Sequence, residues 1–407
     1  MVQPRTRPAW WGTVILFLVH GIVNGTWVSR IPAVKAELHL NDAVLGLTLL
    51  NAAFGAVCTI PVTGSLISRF GSKRVTSVSS VAFCLGVSLM GIAWNALSLA
   101  VALFIFGAIA AAMDVSMNAQ GVEVEKAMAR PTMSRFHAMF SLGAMGGAAI
   151  GGWVAGQDIA PLTHFLLGGF ASLIAVLVAI PLLLETDARP APEEAREHRL
   201  PLRSLPGVLI ALSAIGFCVL LSEGAMADWT AVYYRQTLHT GAGLAAEGYA
   251  VFSASMAVFR FIGDWVTAHL GPLRTVRTGC LVAAAGLVCT LSVHSPLLGF
   301  PGLAITGAGL SVIIPLVFGG GGRVPGINPG PGIATVTGIG YVGFIVGPPT
   351  IGFVSQMVTL RCALGIVVAC CLVAAYLSRF MASLAPVTNL HTPSFPGTRI
   401  HALEPPA

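Results

Sequence analysis

Two polar residues, one helical turn apart, interrupt the apolar stretch AIAAAMDVSMNAQGVEVEK at residues 108–126. Asp114 and Asn118 would share one helix face, because residues four apart lie above one another. A carboxylate deep in a bilayer costs at least ~2.5–3.5 kcal/mol. Asp114 is therefore either a structural acid, hydrogen-bonded between helices, or a protonatable group that lines a water-filled cavity. In the second case it would load and release protons, because desolvation disfavours the ionised form of a carboxyl group.

Other polar and aromatic side chains recur inside apolar stretches at helical spacing, and they could bind a small polar solute. These substrate-binding candidates are His20, Asn24, Trp27, Asn118, His137, Thr337 and Tyr341. A histidine in such a stretch has an alternative role as a residue that only packs inside the bundle. The sequence leaves both roles open for His20.

Three more charged residues occur in or beside apolar stretches: Glu223, Arg260 and Asp264. One arrangement is an Arg260–Asp264 pair within a single helix, with Glu223 buried among its neighbours. The other is an ion pair between Arg260 and Glu223 that joins two helices. Both arrangements keep the charges away from lipid, and Glu223 is the second candidate for proton coupling.

The composition indicates the solvent of this chain. Hydrophobic residues make up 55% of the 407 residues, charged residues make up 9%, and the mean hydropathy is +0.84. Soluble domains carry about 25% charged residues, so the chain is predicted to lie in a lipid bilayer. The net charge of +6 comes from scattered basic residues, which does not favour nucleic-acid binding. No metal site, cofactor or enzymatic motif is predicted, and the eight cysteines lack metal-ligand spacing.

Twelve apolar stretches are long enough to span a membrane, which takes roughly 20 residues. They predict an all-α membrane protein with spans at about 10–31, 44–68, 75–94, 97–121, 137–157, 163–184, 206–232, 247–268, 275–293, 296–318, 332–355 and 361–383.

The basic residues predict the orientation of these spans. If the N-terminus is cytoplasmic, 17 of the 22 Lys and Arg residues lie on the cytoplasmic side, 4 lie on the other side, and Arg260 lies within a span. This asymmetry follows the positive-inside rule. We therefore expect a multi-pass protein of the bacterial inner (plasma) membrane with both termini in the cytoplasm.

The chain also divides into two similar halves. We expect an N-terminal six-helix half at 1–184, a cytoplasmic linker at 185–205, a C-terminal six-helix half at 206–383 and a disordered cytoplasmic tail at 384–407. Gly64 and Gly263 stand 199 residues apart in similar segments, and Gly143 and Gly343 stand 200 apart. We expect the glycines of the fifth and eleventh spans to allow close packing of helices. Two parallel six-helix repeats characterise one large class of transporters.

The segment after the second span carries a family resemblance. It is similar to the signature G-x-L-a-D-R-x-G-R-K-R of the major facilitator superfamily, and the matching residues are Gly64, Leu66, Arg69, Gly71, Lys73 and Arg74. Ser68 stands where the family usually has Asp. The basic residues therefore need another partner, and helix carbonyls, Glu123 and Glu125 are candidates. The resemblance implies a role for this loop in the conformational change, and an ion pair of Arg260 across two helices would be a second such element.

Three further segments, GTWVSRIP at 25–32, FHAMFSLG at 136–143 and EGAMADW at 223–229, resemble a fucose-permease-like branch of bacterial inner-membrane proteins. The resemblance implies a monomer that imports a small polar, sugar-like solute by proton-coupled symport, with Asp114 as the coupling acid. A proton-driven efflux antiporter for amphipathic compounds is the alternative, because GAMGGAAIGG at 143–152 approaches an antiporter signature. A sensor or scaffold that kept the fold is a third class.

Overall fold

The computed structural model describes residues 6–130, 132–185 and 205–384. Most of the predicted linker and nearly all of the predicted tail lie outside these residues. The described residues contain twelve helices long and apolar enough to cross a membrane. We number them α1 to α12 in chain order: Thr6–Glu37, Asp42–Phe70, Ser72–Ile92, Ala96–Met128, Met133–Gly156, Pro161–Leu182, Gly207–Gln236, Ala242–Leu270, Pro272–Ser292, Pro296–Gly321, Pro329–Met357 and Leu360–Ser383.

The all-α fold with twelve spans is confirmed, and the main differences lie at the helix ends. The fourth helix runs seven residues beyond the predicted span and ends at Met128. The last turns of this helix carry Glu123, Glu125 and Lys126. The apolar stretch used for the prediction therefore ends before the helix does. Helix α10 is interrupted after Leu310 and resumes at Ile313.

The internal repeat is visible in two equivalent turns. Gly71 ends α2 and precedes α3, with φ 80° and ψ 154°. Gly271 occupies the same place between α8 and α9, with φ 77° and ψ 157°. Both conformations lie in the region of positive φ that favours glycine. The sequence signature and its counterpart in the second half therefore form the same tight turn.

Glycines also set the closest helix contacts within each half. A Cβ atom at Gly143 of α5 would overlap the carbonyl oxygen of Leu18 on α1, and one at Gly343 of α11 would overlap that of Phe217 on α7. These two glycines are 200 residues apart, and so the repeat extends to the packing. Small residues let membrane helices approach closely, which is the role that the sequence predicted for these glycines.

Consecutive helices alternate in direction, so the bundle has two ends. We call the end where α1 begins and α12 ends the terminal end, and the other the opposite end. Glycines pack against the other half near the opposite end. Gly46 and Gly352 bring α2 and α11 together, and Gly152 and Gly243 bring α5 and α8 together. The two halves therefore meet closely at the opposite end.

Candidate functional site

The two polar residues of α4 form one unit. The Asn118 side-chain amide donates to the carboxylate Oδ1 of Asp114 at 3.1 Å and to the Asp114 carbonyl at 2.9 Å. Both residues are half-buried. The shared helix face predicted from the sequence is therefore present, and Asn118 supplies Asp114 with a hydrogen-bond donor inside an apolar helix.

Tyr341 connects this unit to the other half. The phenol of Tyr341 on α11 lies close enough to Asp114 and to Glu223 on α7 to interact electrostatically with both. Its ring packs beside Phe344, with 6.0 Å between ring centroids. Thr337, one turn nearer the terminal end, is also half-buried. Carboxyl groups from both halves thus lie within electrostatic range of one tyrosine.

Arg260 of α8 is the main polar contact between the halves near the middle of the bundle. Its guanidinium donates to the Ser141 hydroxyl of α5 at 2.6 Å and to the Ser311 carbonyl at 3.2 Å. A third nitrogen lies 3.9 Å from Glu223 Oε2, and both side chains are 17% exposed. Asp264 is exposed and forms no ion pair within the described part of the chain. Of the two arrangements that the sequence left open, the structure contains the Arg260–Glu223 pair.

Some polar atoms of this cluster have no hydrogen-bond partner. Among the described residues, Glu223 Oε1 and both ring nitrogens of His20 are buried without a partner. The His20 ring packs between Phe83 and Phe140, at centroid distances of 4.8 and 5.4 Å. Buried polar groups are normally paired with protein or water, so Glu223 Oε1 marks a place where water or a solute can bind.

His137 is an exposed member of the cluster. Its ring makes an edge contact with Phe17 at 5.3 Å, and it lies within electrostatic range of His20 and Arg260. It is one turn nearer the terminal end than Ser141, whose hydroxyl is buried by the Arg260 contact. On α2 and α11, a Cβ atom at Gly64 or Gly338 would meet no atom of the described residues within 4 Å.

One of the predicted α1 residues lies elsewhere. Trp27 is 5% exposed and packs against Phe165 of α6, inside the N-terminal half. Asn24 is half-buried, and its amide donates to the His20 carbonyl of its own helix at 2.8 Å. Its role in solute binding remains a prediction. The structure does not bring Trp27 to the Arg260 cluster.

The loop after α2 finds a partner that the sequence did not predict. Lys73 pairs with Glu185, at the end of the N-terminal half, with 2.6 Å between Nζ and Oε1. The two candidate acids are engaged elsewhere: Glu123 pairs with Lys126 at 2.9 Å, and Glu125 accepts backbone N–H groups at the start of α5. Those N–H groups are unpaired within the helix and attract a carboxylate. Glu123 and Glu125 were therefore wrong choices for Lys73.

The other basic residues of that loop remain near the surface. The Arg69 guanidinium lies over the Phe70 ring at 5.2 Å, and Arg74 is exposed. Their role in the conformational change remains a prediction.

Gln120 is a functional candidate that sequence reasoning missed. It is fully buried on α4, and its amide nitrogen donates to Ser72 Oγ at 2.8 Å and to the Leu184 carbonyl at 3.0 Å. Its amide oxygen accepts the Leu184 N–H at 3.2 Å. It thereby fastens the start of α3 and the end of α6 to α4. The only signal in the sequence is an amide two residues after Asn118.

The fold consists of twelve apolar helices in two repeated halves, and charged groups lie where the halves meet. These features are typical of a multi-pass membrane protein of the secondary-transporter type. A family model described as Major Facilitator Superfamily matches residues 10–322. The chain belongs to the Major Facilitator Superfamily, and it is a secondary transporter. Transporters of this family are generally not enzymes.

Similar proteins support the family without naming a solute. An uncharacterized MFS-type transporter of Yersinia pestis is 33% identical and aligns over 87% of this chain and 91% of its own. An uncharacterized transporter, y4wD, of Sinorhizobium fredii is 34% identical over 94% and 99%. The membrane protein MosC of Rhizobium meliloti is 30% identical over 87% of each chain.

Solved structures share the fold at low identity. A bacterial homologue of the lysosomal transporter Spinster, inward-facing and unoccupied, has a TM-score of 0.73 at 14% identity, covering 95% of this chain and all of the other. The nucleoside transporter NupG has a TM-score of 0.65 at 13% identity, with coverages of 92% and 99%. FucP in its outward conformation has a TM-score of 0.59 at 18% identity, with coverages of 91% and 97%.

Proposed function

We propose that this transporter imports a small polar, sugar-like solute across the bacterial inner membrane by proton-coupled symport. The observation that carries the proposal is a polar cluster between the halves. Arg260 joins Glu223 to Ser141 of the other half, and Asp114 and Glu223 both lie within electrostatic range of Tyr341. Alternating access exposes a site between two repeats to each side in turn. Carboxyl groups at that boundary can therefore take up protons on one side and release them on the other.

The solute-binding proposal rests on the groups that line the same region. Asn118, His137, Thr337 and Tyr341 offer amide, imidazole and hydroxyl groups, which suit a hydroxyl-rich solute. Among the described residues, Glu223 Oε1 is buried without a hydrogen-bond partner, and a bound solute would supply one. The structural neighbour NupG is named a nucleoside transporter. Nucleosides are polar, and we propose a polar solute for this chain as well.

The orientation is part of the proposal. With both termini in the cytoplasm, as the distribution of Lys and Arg favours, the opposite end faces the periplasm. The described state would then be closed to the periplasm, because the two halves pack closely at that end. The orientation is tested by fusing, after Pro201, a reporter enzyme that is active only in the periplasm. Activity of this fusion would contradict the proposed orientation.

The experiment for the function is a solute screen followed by transport. Purified protein is screened for thermal stabilisation by sugars, polyols, nucleosides and amphipathic cations, because a ligand that binds the native state raises Tm. Each hit is then tested for accumulation in proteoliposomes with and without a pH gradient. Symport predicts that the solute accumulates only when the pH gradient is present. It also predicts that Glu223→Gln loses this accumulation, whereas Asp264→Asn, at an exposed carboxylate, keeps it.

Two results would overturn the proposal. Accumulation of the hit that is indifferent to the pH gradient would refute proton coupling. Proton-driven expulsion of amphipathic cations, with no binding of polar solutes, would establish the efflux antiporter instead. The antiporter reading draws on the glycine-rich segment at 143–152, whose Gly143 and Gly147 pack on α1.

A further inference from the structure

A charged cluster lies at the opposite end, far from the polar cluster around Arg260. Asp42 is the first residue of α2, and one of its carboxylate oxygens pairs with Lys35 of α1. Its other carboxylate oxygen accepts the hydroxyl group of Ser355 on α11. One carboxylate oxygen of Asp42 therefore makes a contact within the N-terminal half, and the other makes a contact with the C-terminal half.

The backbone is also closely packed at this point. A Cβ atom at Gly352, one turn before Ser355, would overlap the Asp42 carbonyl oxygen, and one at Gly46 would lie 2.5 Å from the Pro348 carbonyl oxygen. The Lys35 side chain is 6% exposed and that of Asp42 is 16% exposed. An ammonium group so buried needs a partner charge, and Asp42 is the carboxylate that supplies it.

A cavity of about 590 Å³ adjoins this cluster and spans the two halves. Lys35 and His39 line it from the N-terminal half, and Arg235 lines it from the C-terminal half. Basic side chains from both halves therefore line the same cavity at the opposite end. The negative charge of Asp42, which pairs with Lys35, neutralises part of this positive lining.

We propose that Lys35, Asp42 and Ser355 form the latch that keeps the transporter closed at the opposite end, and that the negative charge of Asp42 sets how often this end opens. Opening would break the Asp42–Ser355 hydrogen bond between the halves. The latch depends on neither the solute nor the coupling ion, so it stands or falls separately from the proposed function.

The test measures the distance between the halves at this end. Spin labels are attached to cysteines at the exposed positions Ala160 and Met357, after the four cysteines that are not buried (Cys58, Cys289, Cys362 and Cys370) are replaced by serine. Double electron–electron resonance in nanodiscs then gives the populations of the short and long distances, and it needs no solute.

Asp42→Asn should raise the long-distance population relative to the short one by about tenfold, which corresponds to ~1.4 kcal/mol. The variant keeps the size of the side chain, but it leaves Lys35 without a counter-charge in a cavity that Arg235 also lines. Adding Arg235→Gln should reverse part of the shift. The matched control Asp158→Asn, at an exposed carboxylate of the same end, should leave the distribution unchanged.

Two results would overturn the latch. One is an Asp42→Asn distribution identical to that of the parent, and the other is an equal shift in the Asp158→Asn control. If Asp42→Asn does not fold, the distance distribution of Ser355→Ala is measured with the same spin labels, because this variant removes only the hydrogen bond between the halves. It should also shift toward the long distance, and an unchanged distribution would refute the proposal.

Discussion

The Arg260–Glu223 pair allows a quantitative test of the central cluster. At the observed 3.9 Å, two unit charges attract by ~4 kcal/mol at an effective dielectric constant of about 20. Desolvation of both groups cancels much of this attraction. We therefore expect Arg260→Met and Glu223→Gln each to destabilise the fold by ~2–3 kcal/mol, since each leaves a mostly buried partner unpaired.

A double-mutant cycle isolates the pair. Arg260→Met also loses its hydrogen bonds to Ser141 and Ser311, but those losses cancel when the cycle is closed. The double variant should cost ~1–2 kcal/mol less than the sum of the single variants. The free energy of unfolding is measured in bicelles, with the cycle of Arg260→Met and Asp264→Asn as the matched control.

The control separates the two arrangements that the sequence left open. A coupling within about 0.5 kcal/mol of zero is expected between Arg260 and Asp264, as for independent sites. The ion pair between α7 and α8 would be refuted by strong coupling between Arg260 and Asp264 together with additive effects of Arg260→Met and Glu223→Gln.

Three further predictions concern the scaffold. Gln120→Leu should cost ~2–4 kcal/mol in unfolding measurements, because Ser72 and both backbone groups of Leu184 lose buried partners. Gly343→Leu should lower Tm and the yield of folded protein through overlap with Phe217, whereas Gly338→Leu, which meets open space, should change neither. Glu125→Gln should cost ~0.3–1 kcal/mol by removing a carboxylate from the start of α5; no loss in a denaturation series would contradict that role.

The parts of this structure that depend on local sequence were predictable. Hydropathy runs located the twelve helices, since a span has to be long and apolar. The glycines of α5 and α11 were correctly assigned to helix packing, because small residues at helical spacing permit close approach. The shared face of Asp114 and Asn118 follows from their spacing of four.

The partners of charged residues were less predictable. Lys73 meets Glu185, which is 112 residues away in the chain, and Arg260 meets Ser141, which is 119 away. Spacing within a helix carries no information on such pairs, because they depend on how the helices pack. His20 and Trp27 share the polar or aromatic character of binding residues, but neighbouring aromatic rings cover both.

The claim that proton coupling uses Asp114 is tested most directly by one substitution. Asp114→Asn keeps the size and the hydrogen-bonding capacity of the side chain but removes its titration. Transport is measured in proteoliposomes with a solute from the screen, both as exchange at equal pH and as accumulation driven by a pH gradient. The proposal predicts that exchange persists while gradient-driven accumulation is lost. Accumulation equal to that of the parent would contradict it and make Asp114 a structural acid.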